Sequence, residues 1–203
     1  MEALRPGLWT WTAAHPSWTP EDGGPEGWGQ EVRSYAYDAG KTFVLLDPLA
    51  PPDDVLARAA GRPVVVLLTC RWHRRSSAEM IERLEATVHS PAEDASEVGI
   101  PVVPYRLGDN LPGDVEPRLG GYPNEATLWI GKHRALVTGD VLLGGEWGFR
   151  LQPDSWLPEG LARGELGERL LPLLELPVEL LLPTHGDPVE DDAAEVLRRA
   201  LGA

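Results

Sequence analysis

The chain has 203 residues, with 18 lysines and arginines against 32 aspartates and glutamates, which gives a net charge of −14 at pH 7. Nucleic acids and anionic membrane surfaces are not expected partners, because both bind positively charged surfaces. Hydrophobic residues make up 42% of the chain and charged residues 25%, a composition typical of a soluble globular protein.

Cysteine content and the N-terminal segment bear on location. Cys70 is the only cysteine, so no disulfide can form within the chain. The N-terminus lacks the basic start and apolar run of a signal peptide. No apolar run reaches the ~20 residues that span a bilayer. We therefore expect a cytoplasmic protein, and both a monomer and a homodimer remain open.

The first half of the chain, roughly residues 1–110, predicts short strands with two helices. Strands are predicted at residues 7–11, 31–37, 42–47, 64–69, 87–90 and 101–105. Residues 13–29 are rich in proline and glycine and predict a long loop. Helices are predicted at residues 50–62 and from Ser76 onward, where Ser76 and Glu79 fit a capping box.

The second half, roughly residues 111–203, has the same organisation. Strands are predicted at residues 125–130 and 134–140, and residues 178–188 predict a buried strand that ends in a loop. Helical segments are predicted at residues 157–176 and 189–201. Strands followed by helices in each half predict an α/β (α+β) fold of two packed sheets with helices outside. No linker-like segment divides the halves, so we expect a single domain over residues 1–203.

Residues of ligand type directly follow three apolar strands. Cys70 and His73 follow LLT, Asp140 follows LVTG, and His185 follows LLPT. Because strand ends meet at one edge of a sandwich, we expect Cys70 or His73 to lie near Asp140 and His185. Taken singly, a histidine after a strand is more often a structural residue, and Gly-Asp is more often a turn.

The set of segments resembles the metallo-β-lactamase superfamily, and the resemblance covers nearly the whole chain. It rests on VLLDP at 44–48, LLT and its loop at 67–75, LGGYPNEATLWI at 119–130, LVTGD at 136–140 and LLPTHG at 181–186. The resemblance implies a four-layer αββα sandwich with a metal site at the edge between the halves. It also implies a His-x-His-x-Asp-His motif in the loop after LLT.

The sequence departs from the family pattern at most of the ligand positions. The four positions of that motif hold Cys70, Trp72, Arg74 and Arg75. Gly121 stands where the family has a histidine, and only Asp140 and His185 match. Indole and guanidinium groups offer no lone pair to a cation. We therefore predict that the dinuclear metal site is largely lost and that no cofactor is bound.

Without a metal, the catalytic candidates are His73, Asp140 and His185, since the two histidines titrate near neutral pH and the aspartate can orient one of them. We expect Arg74 and Arg75 to pair with Asp140 and Glu125, so that guanidinium groups replace the metal. The alternative is that both arginines are solvated. The resulting prediction is a protein that binds a small molecule or retains residual hydrolase-like activity.

Tryptophans are the remaining candidates for binding residues. Trp18 and Trp28 lie on the 13–29 loop and Trp72 on the loop after LLT. The resemblance implies that the early loop overhangs the pocket, so that these indoles wall a site for an apolar or ring-shaped ligand. The alternative is that they pin the loop onto the sandwich.

Two further functions stay open. One is a hydrolase of small esters, thioesters or lactones that uses a single zinc ion. Its ligands would be Cys70, His73, Asp140 and His185, which are residue types that suit zinc. The other is a protein-interaction module that keeps the fold as a scaffold.

Overall fold

The computed structural model describes residues 1–203 and contains two large β-sheets. The first sheet has seven strands in chain order: β1 (Glu2–Arg5), β2 (Leu8–Ala14), β3 (Glu31–Asp38), β4 (Phe43–Leu46), β5 (Val64–Leu67), β6 (Thr87–Pro91) and β7 (Val103–Tyr105). Neighbours from β1 to β4 are antiparallel. Neighbours from β4 to β7 are parallel.

The second sheet is smaller and comes from the later part of the chain. Its strands are β8 (Val115–Leu119), β9 (Ala126–Ile130), β10 (Ala135–Val137) and β13 (Leu180–Leu182), in the order β13-β10-β9-β8. Strands β10 and β13 are parallel, and the other neighbours are antiparallel. Strands β11 (Leu142–Leu143) and β12 (Arg150–Leu151) form a separate two-stranded ribbon.

Four helices cover the outer faces of the sheets: α1 (Asp53–Ala59), α2 (Ser77–Leu84), α3 (Arg163–Leu170) and α4 (Ala193–Leu201). Helices α1 and α2 lie in the connections between the parallel strands β4, β5 and β6, where a crossover is required. None of the helices is long and apolar enough to cross a bilayer.

Three apolar cores separate the layers. The core between the sheets takes side chains from both, among them Tyr35, Leu46, Leu67, Leu128, Val137 and Leu182. Along β5, Val65 and Leu67 face this middle core, whereas Val64 and Val66 pack with residues of α1 and α2. Residues of α3 and α4 pack with the outer face of the second sheet. The prediction of a four-layer αββα sandwich is confirmed.

Several local predictions were wrong. Strand β8 was missed because Pro117 and the charged residues within it obscure the pattern, but proline is tolerated in an edge strand. The helix predicted at 157–176 is limited to α3 and a following 3-10 turn. The predicted capping box does not form, since the Ser76 hydroxyl accepts a hydrogen bond from the Ala50 amide at 2.9 Å and makes no cap bond.

Gly186 fixes the chain where it leaves the second sheet. Its φ is +94°, and a Cβ there would lie 2.2 Å from the Gly145 nitrogen and 2.3 Å from the Gly144 carbonyl carbon. The Gly144 amide donates to the carbonyl of His185 at 2.7 Å. This close approach of two backbone segments holds His185 in position and leaves no room for a side chain.

Gly186→Ala is expected to destabilise the fold much more than Gly24→Ala. Gly24 has a similar φ of +89°, but no atom lies within 4 Å of the position that an alanine methyl group would take. Its substitution therefore costs only the conformational penalty of about 1 kcal/mol. Gly186→Ala adds the overlap with backbone, for a further loss of at least about 2 kcal/mol. Urea unfolding of both variants measures the difference, and equal losses would contradict the close approach.

Candidate functional site

Polar side chains converge where strands of both sheets end. Asp47 follows β4, Thr69 and His73 follow β5, Asp140 follows β10, and His185 follows β13. Strands β4 and β5 are parallel, and so are β10 and β13. The carboxyl ends of the strands in each pair therefore lie at the same edge of their sheet. The structure thus brings His73, Asp140 and His185 together, as expected from the sequence.

His73 lies between two buried carboxylates. Its Nδ1 is 3.0 Å from Asp47 Oδ2 and 2.9 Å from Thr69 Oγ1, and its Nε2 is 3.1 Å from Asp140 Oδ1. Thr69 fixes Asp47 in turn, with its amide donating to Oδ1 at 2.9 Å and its hydroxyl to Oδ2 at 2.7 Å. Burial alone would lower the pKa of His73, but the carboxylates of Asp140 and Asp47 raise it well above its usual value. Each ring nitrogen of His73 thus lies within hydrogen-bond distance of a buried carboxylate.

Asp140 accepts hydrogen bonds at both carboxylate oxygens. Besides His73, His185 Nε2 lies 3.0 Å from Oδ1, and the indole of Trp72 donates to Oδ2 at 2.9 Å. Burial alone would raise the pKa of Asp140, but the charge of His73 and the hydrogen bonds of both histidines hold it well below its usual value. Burial lowers the pKa of His185, whose Nδ1 has no hydrogen-bond partner.

Glu125 supports the turn that carries Asp140. Its Oε1 accepts from the amides of Asp140 at 2.6 Å and Val141 at 3.1 Å, and its Oε2 accepts from the Tyr122 hydroxyl at 2.7 Å. Burial, followed by the nearby charge of Asp140, raises the pKa of Glu125 to about 8. Glu125 positions backbone and does not pair with an arginine.

The loop after β5 forms a 3-10 turn over Arg71–Arg74 that sorts its side chains into three rows. In such a turn, residues three apart lie on the same side. Cys70 and His73 point into the interior, where both are buried. Arg71 and Arg74 point outward, where Arg71 pairs with Asp94 and Glu97 and Arg74 donates to the Val98 carbonyl. Trp72 and Arg75 both line a cavity.

The predicted pairing of Arg74 and Arg75 with Asp140 and Glu125 is therefore wrong. Arg74 is on the outer side of the turn, and Arg75 Nη1 donates to two backbone carbonyls, those of Arg33 at 3.0 Å and Asp47 at 2.9 Å. The side chain that reaches Asp140 from this turn is the ring of His73, with Nε2 at 3.1 Å from Oδ1. Side chains in this 3-10 turn repeat their direction every three residues, and the spacing of the sequence motif did not predict that turn.

A cavity of about 370 Å³ opens above Asp140. It is lined by His15, Trp28, Trp72, His73, Arg75, Tyr122, Asp140, Gln152, Trp156 and His185. The indoles of Trp28 and Trp156 meet the ring of His185 edge-on, with centroids 4.8 and 6.1 Å away. Trp28 and Trp72 thus lie where the sequence predicted them.

Trp18 does not line this cavity, so its predicted role as a wall is wrong. Its indole donates to the Trp28 carbonyl at 3.0 Å, which fixes the loop that carries Trp28. This contact matches the alternative that Trp18 pins the loop. Trp156, Tyr122, Gln152 and His15 were not predicted, because they come from irregular segments that carry no local signal for the site.

One group of side chains could hold a metal ion. The donor atoms of Cys70, His73 and Asp140 lie within 4.8 Å of one another, and all three residues are buried. His185 does not join this group, although it contacts Asp140. Burial raises the pKa of the Cys70 thiol to about 12. At Gly121, a Cβ would lie 2.1 Å from Leu166 Cδ1, so a side chain there would collide with the α3 core.

No protein-family model matches the sequence, and no curated protein is similar enough to match it. Solved structures do match. The metallo-beta-lactamase family protein TTHA1429 from Thermus thermophilus is 18% identical with a TM-score of 0.66, over 98% of this chain and 78% of that chain. TTHA1623, solved in a di-iron-bound form, is 23% identical with a TM-score of 0.59, over 87% of this chain and 95% of that chain.

A metallo-beta-lactamase from Erythrobacter litoralis gives a TM-score of 0.67 at 12% identity, over 99% of this chain and 95% of that chain. Such identities establish a shared fold and carry no activity with them. The three matched structures support the layered α/β fold of this chain.

Glu125→Gln is expected to flatten the pH dependence of stability. The unfolded chain loses the Glu125 proton near pH 4.5, whereas the folded chain keeps it until about pH 8. Between these values the folded state binds the additional proton, so the free energy of unfolding falls as pH rises. Glutamine retains the acceptor for the two amides but does not titrate.

Urea unfolding of the wild type and Glu125→Gln at several pH values from 4.5 to 8 measures this slope. Glu82→Gln, which removes an exposed glutamate on α2, is the control and should keep the wild-type slope. Parallel curves for the wild type and Glu125→Gln would contradict a raised pKa at Glu125.

Proposed function

We propose that this chain, which has the metallo-β-lactamase fold, binds a small molecule in the cavity above Asp140 and works without a metal ion. The position of His73 between Asp47 and Asp140 carries the proposal. Each ring nitrogen already has a carboxylate partner, and each Asp140 oxygen already accepts a side-chain hydrogen bond. An ion would have to displace these buried hydrogen bonds and the proton on His73 to gain its ligands.

The contacts at the site support this proposal. Buried carboxylates need partners, because an uncompensated buried charge costs several kcal/mol. Asp47 and Asp140 find theirs in the ring of His73, the hydroxyl of Thr69 and the indole of Trp72, all of them groups of the protein.

The residues present do not fit a dinuclear centre. Two-metal sites need ligands for ions ~3.5–4 Å apart. Trp72 uses its N–H on Asp140 Oδ2, and Arg74 and Arg75 offer no lone pair. Gly121 offers no ligand atom, and a Cβ there would lie 2.1 Å from Leu166 Cδ1.

The cluster also supports slow acid–base chemistry on a bound ester. His73 and His185 share Asp140, but their pKa values are shifted in opposite directions, upward at His73 and downward at His185. Such a divergence separates an acid from a base. The buried Nδ1 of His185 has no partner, and a water that enters with the ester would have to reach it there. His185 would accept a proton from that water as the water attacks the ester carbonyl, and the proton would then pass to the oxygen of the leaving alcohol.

His185→Asn is expected to lower kcat/KM for hydrolysis of p-nitrophenyl acetate by about 100-fold, since a general base contributes ~10²–10⁴-fold. Activity of the wild type should resist a chelator. His89→Asn is the matched control, because His89 lies on β6 and does not line the cavity. Full activity in His185→Asn, or loss of wild-type activity with the chelator, would contradict this mechanism.

A second candidate is a hydrolase of small esters, thioesters or lactones with a single zinc ion. The observation that favours it is the Cys70, His73 and Asp140 group, with donor atoms within 4.8 Å of one another. The hydrogen bond between Asp47 and His73 is the kind that orients a metal-binding histidine. When bound there, zinc would polarise the carbonyl and activate a water.

Zinc analysis separates the two candidates. Protein purified without a chelator is expected to carry well below one zinc per chain, because His73 and Asp140 are satisfied by each other. Near-stoichiometric zinc that is lost in Cys70→Ala and in His73→Asn, but retained in Trp72→Phe, would instead support the zinc hydrolase. Trp72→Phe is the control because it removes a hydrogen bond to Asp140 and no donor of the metal group.

A further inference from the structure

Arg75 is a half-buried cation of the cavity that has no carboxylate partner. Its Nη1 donates to the carbonyls of Arg33 and Asp47, and neither Nε nor Nη2 has an acceptor in the protein. Arg33 pairs with Asp187 and Arg71 pairs with Asp94, whereas Arg74 donates only to a backbone carbonyl and lies outside the cavity. Arg75 therefore keeps an unused positive charge at the cavity wall.

One nitrogen of this guanidinium is left for a ligand. Nη1 already donates to two carbonyls and Nε is shielded from solvent, which leaves Nη2. An N–H of Nη2 can donate a charge-assisted hydrogen bond to a carboxylate oxygen. The two carbonyl acceptors at Nη1 hold the plane in place, and a fixed donor loses little freedom when a ligand binds, which favours recognition.

The backbone at Arg75 is also unusual. Its φ of +37° and ψ of −117° lie outside the regions that residues with a Cβ favour. This conformation follows the 3-10 turn, and the side chain of Arg75 lines the same cavity as that of Trp72. Strained backbone concentrates at binding and catalytic sites, where it places a side chain that would otherwise point away.

The remaining walls limit the shape of the ligand. Three indoles, those of Trp28, Trp72 and Trp156, line the cavity, whose volume is about 370 Å³. That volume is at the small end of ligand pockets, and indole walls favour planar rings.

We infer that Arg75 binds the carboxylate of a small ring-containing acid whose ring lies among the indoles of Trp28, Trp72 and Trp156. The inference rests on the proposed small-molecule function of this cavity and adds the ligand class. It makes Arg75 a binding residue and leaves the proton chemistry to His185.

Phenylacetate and phenylacetamide test the inference, because they share a ring and a size but differ in charge. Calorimetric titration of the wild type should give at least about tenfold tighter binding for phenylacetate, the gain from a charge-assisted contact. Arg75→Gln should reduce phenylacetate binding to the level of phenylacetamide. Arg74→Gln is the matched control, since it removes the same charge from the adjacent residue, which lies outside the cavity.

Each outcome decides one of the two proposals. Equal binding of both probes to the wild type would overturn the role of Arg75 but keep the small-molecule cavity. If neither probe binds, both the role of Arg75 and the small-molecule cavity would be overturned. Equal loss in Arg74→Gln and Arg75→Gln would reduce the effect to general charge and overturn the specific contact. The comparison of probes on the wild type remains decisive if Arg75→Gln does not fold.

Discussion

The ion pairs of His73 with Asp47 and Asp140 connect the two sheets at the site. Asp47 and His73 follow strands of the first sheet, and Asp140 follows a strand of the second. Asp47 is fully buried and Asp140 is 8% exposed, so neither carboxylate can rely on water for solvation. The single ring of His73 contacts both. The hydrogen bonds of Thr69, Trp72 and His185 are arranged around these contacts, and the cavity lies directly above them.

The 3-10 turn after β5 determines which residues take part. A longer-period turn would have mixed its aromatic, cationic and thiol side chains. With three residues per turn, Cys70 and His73 enter the interior, whereas Arg71 and Arg74 leave it. Trp72 and Arg75 form the third row, toward the cavity. The turn thus directs His73 toward Asp140 and Arg75 toward the cavity, although the two residues are only two positions apart.

The sequence predicted the layers and the meeting of the strand ends, because apolar periodicity and strand termini are local properties. The continuous run VVVLL indicated burial on both faces, and Thr69, Gly139 and Thr184 marked the ends beyond which His73, Asp140 and His185 meet. The partners of the arginines could not be predicted, because they depend on the turn period and on carbonyls from distant segments. Trp156 and Tyr122 reach the cavity from irregular loops, where no spacing rule connects them to His73. Strand β8 was not predicted, because Pro117 and the charged residues beside it obscure the alternating pattern.

Holding two buried carboxylates with a histidine ring changes what the site can do. A metal ion offers open coordination positions, binds water and lowers its pKa. The ring of His73 offers neither, since both of its nitrogens already lie against Asp47 and Asp140. What remains for a ligand is Nη2 of Arg75, the ring faces of the indoles and the imidazoles of His15 and His185. Those groups recognise and position a molecule, and the two imidazoles can also move a proton. The proposed metal-free site therefore favours binding over rapid hydrolysis, because the contacts of one buried histidine leave no open coordination position.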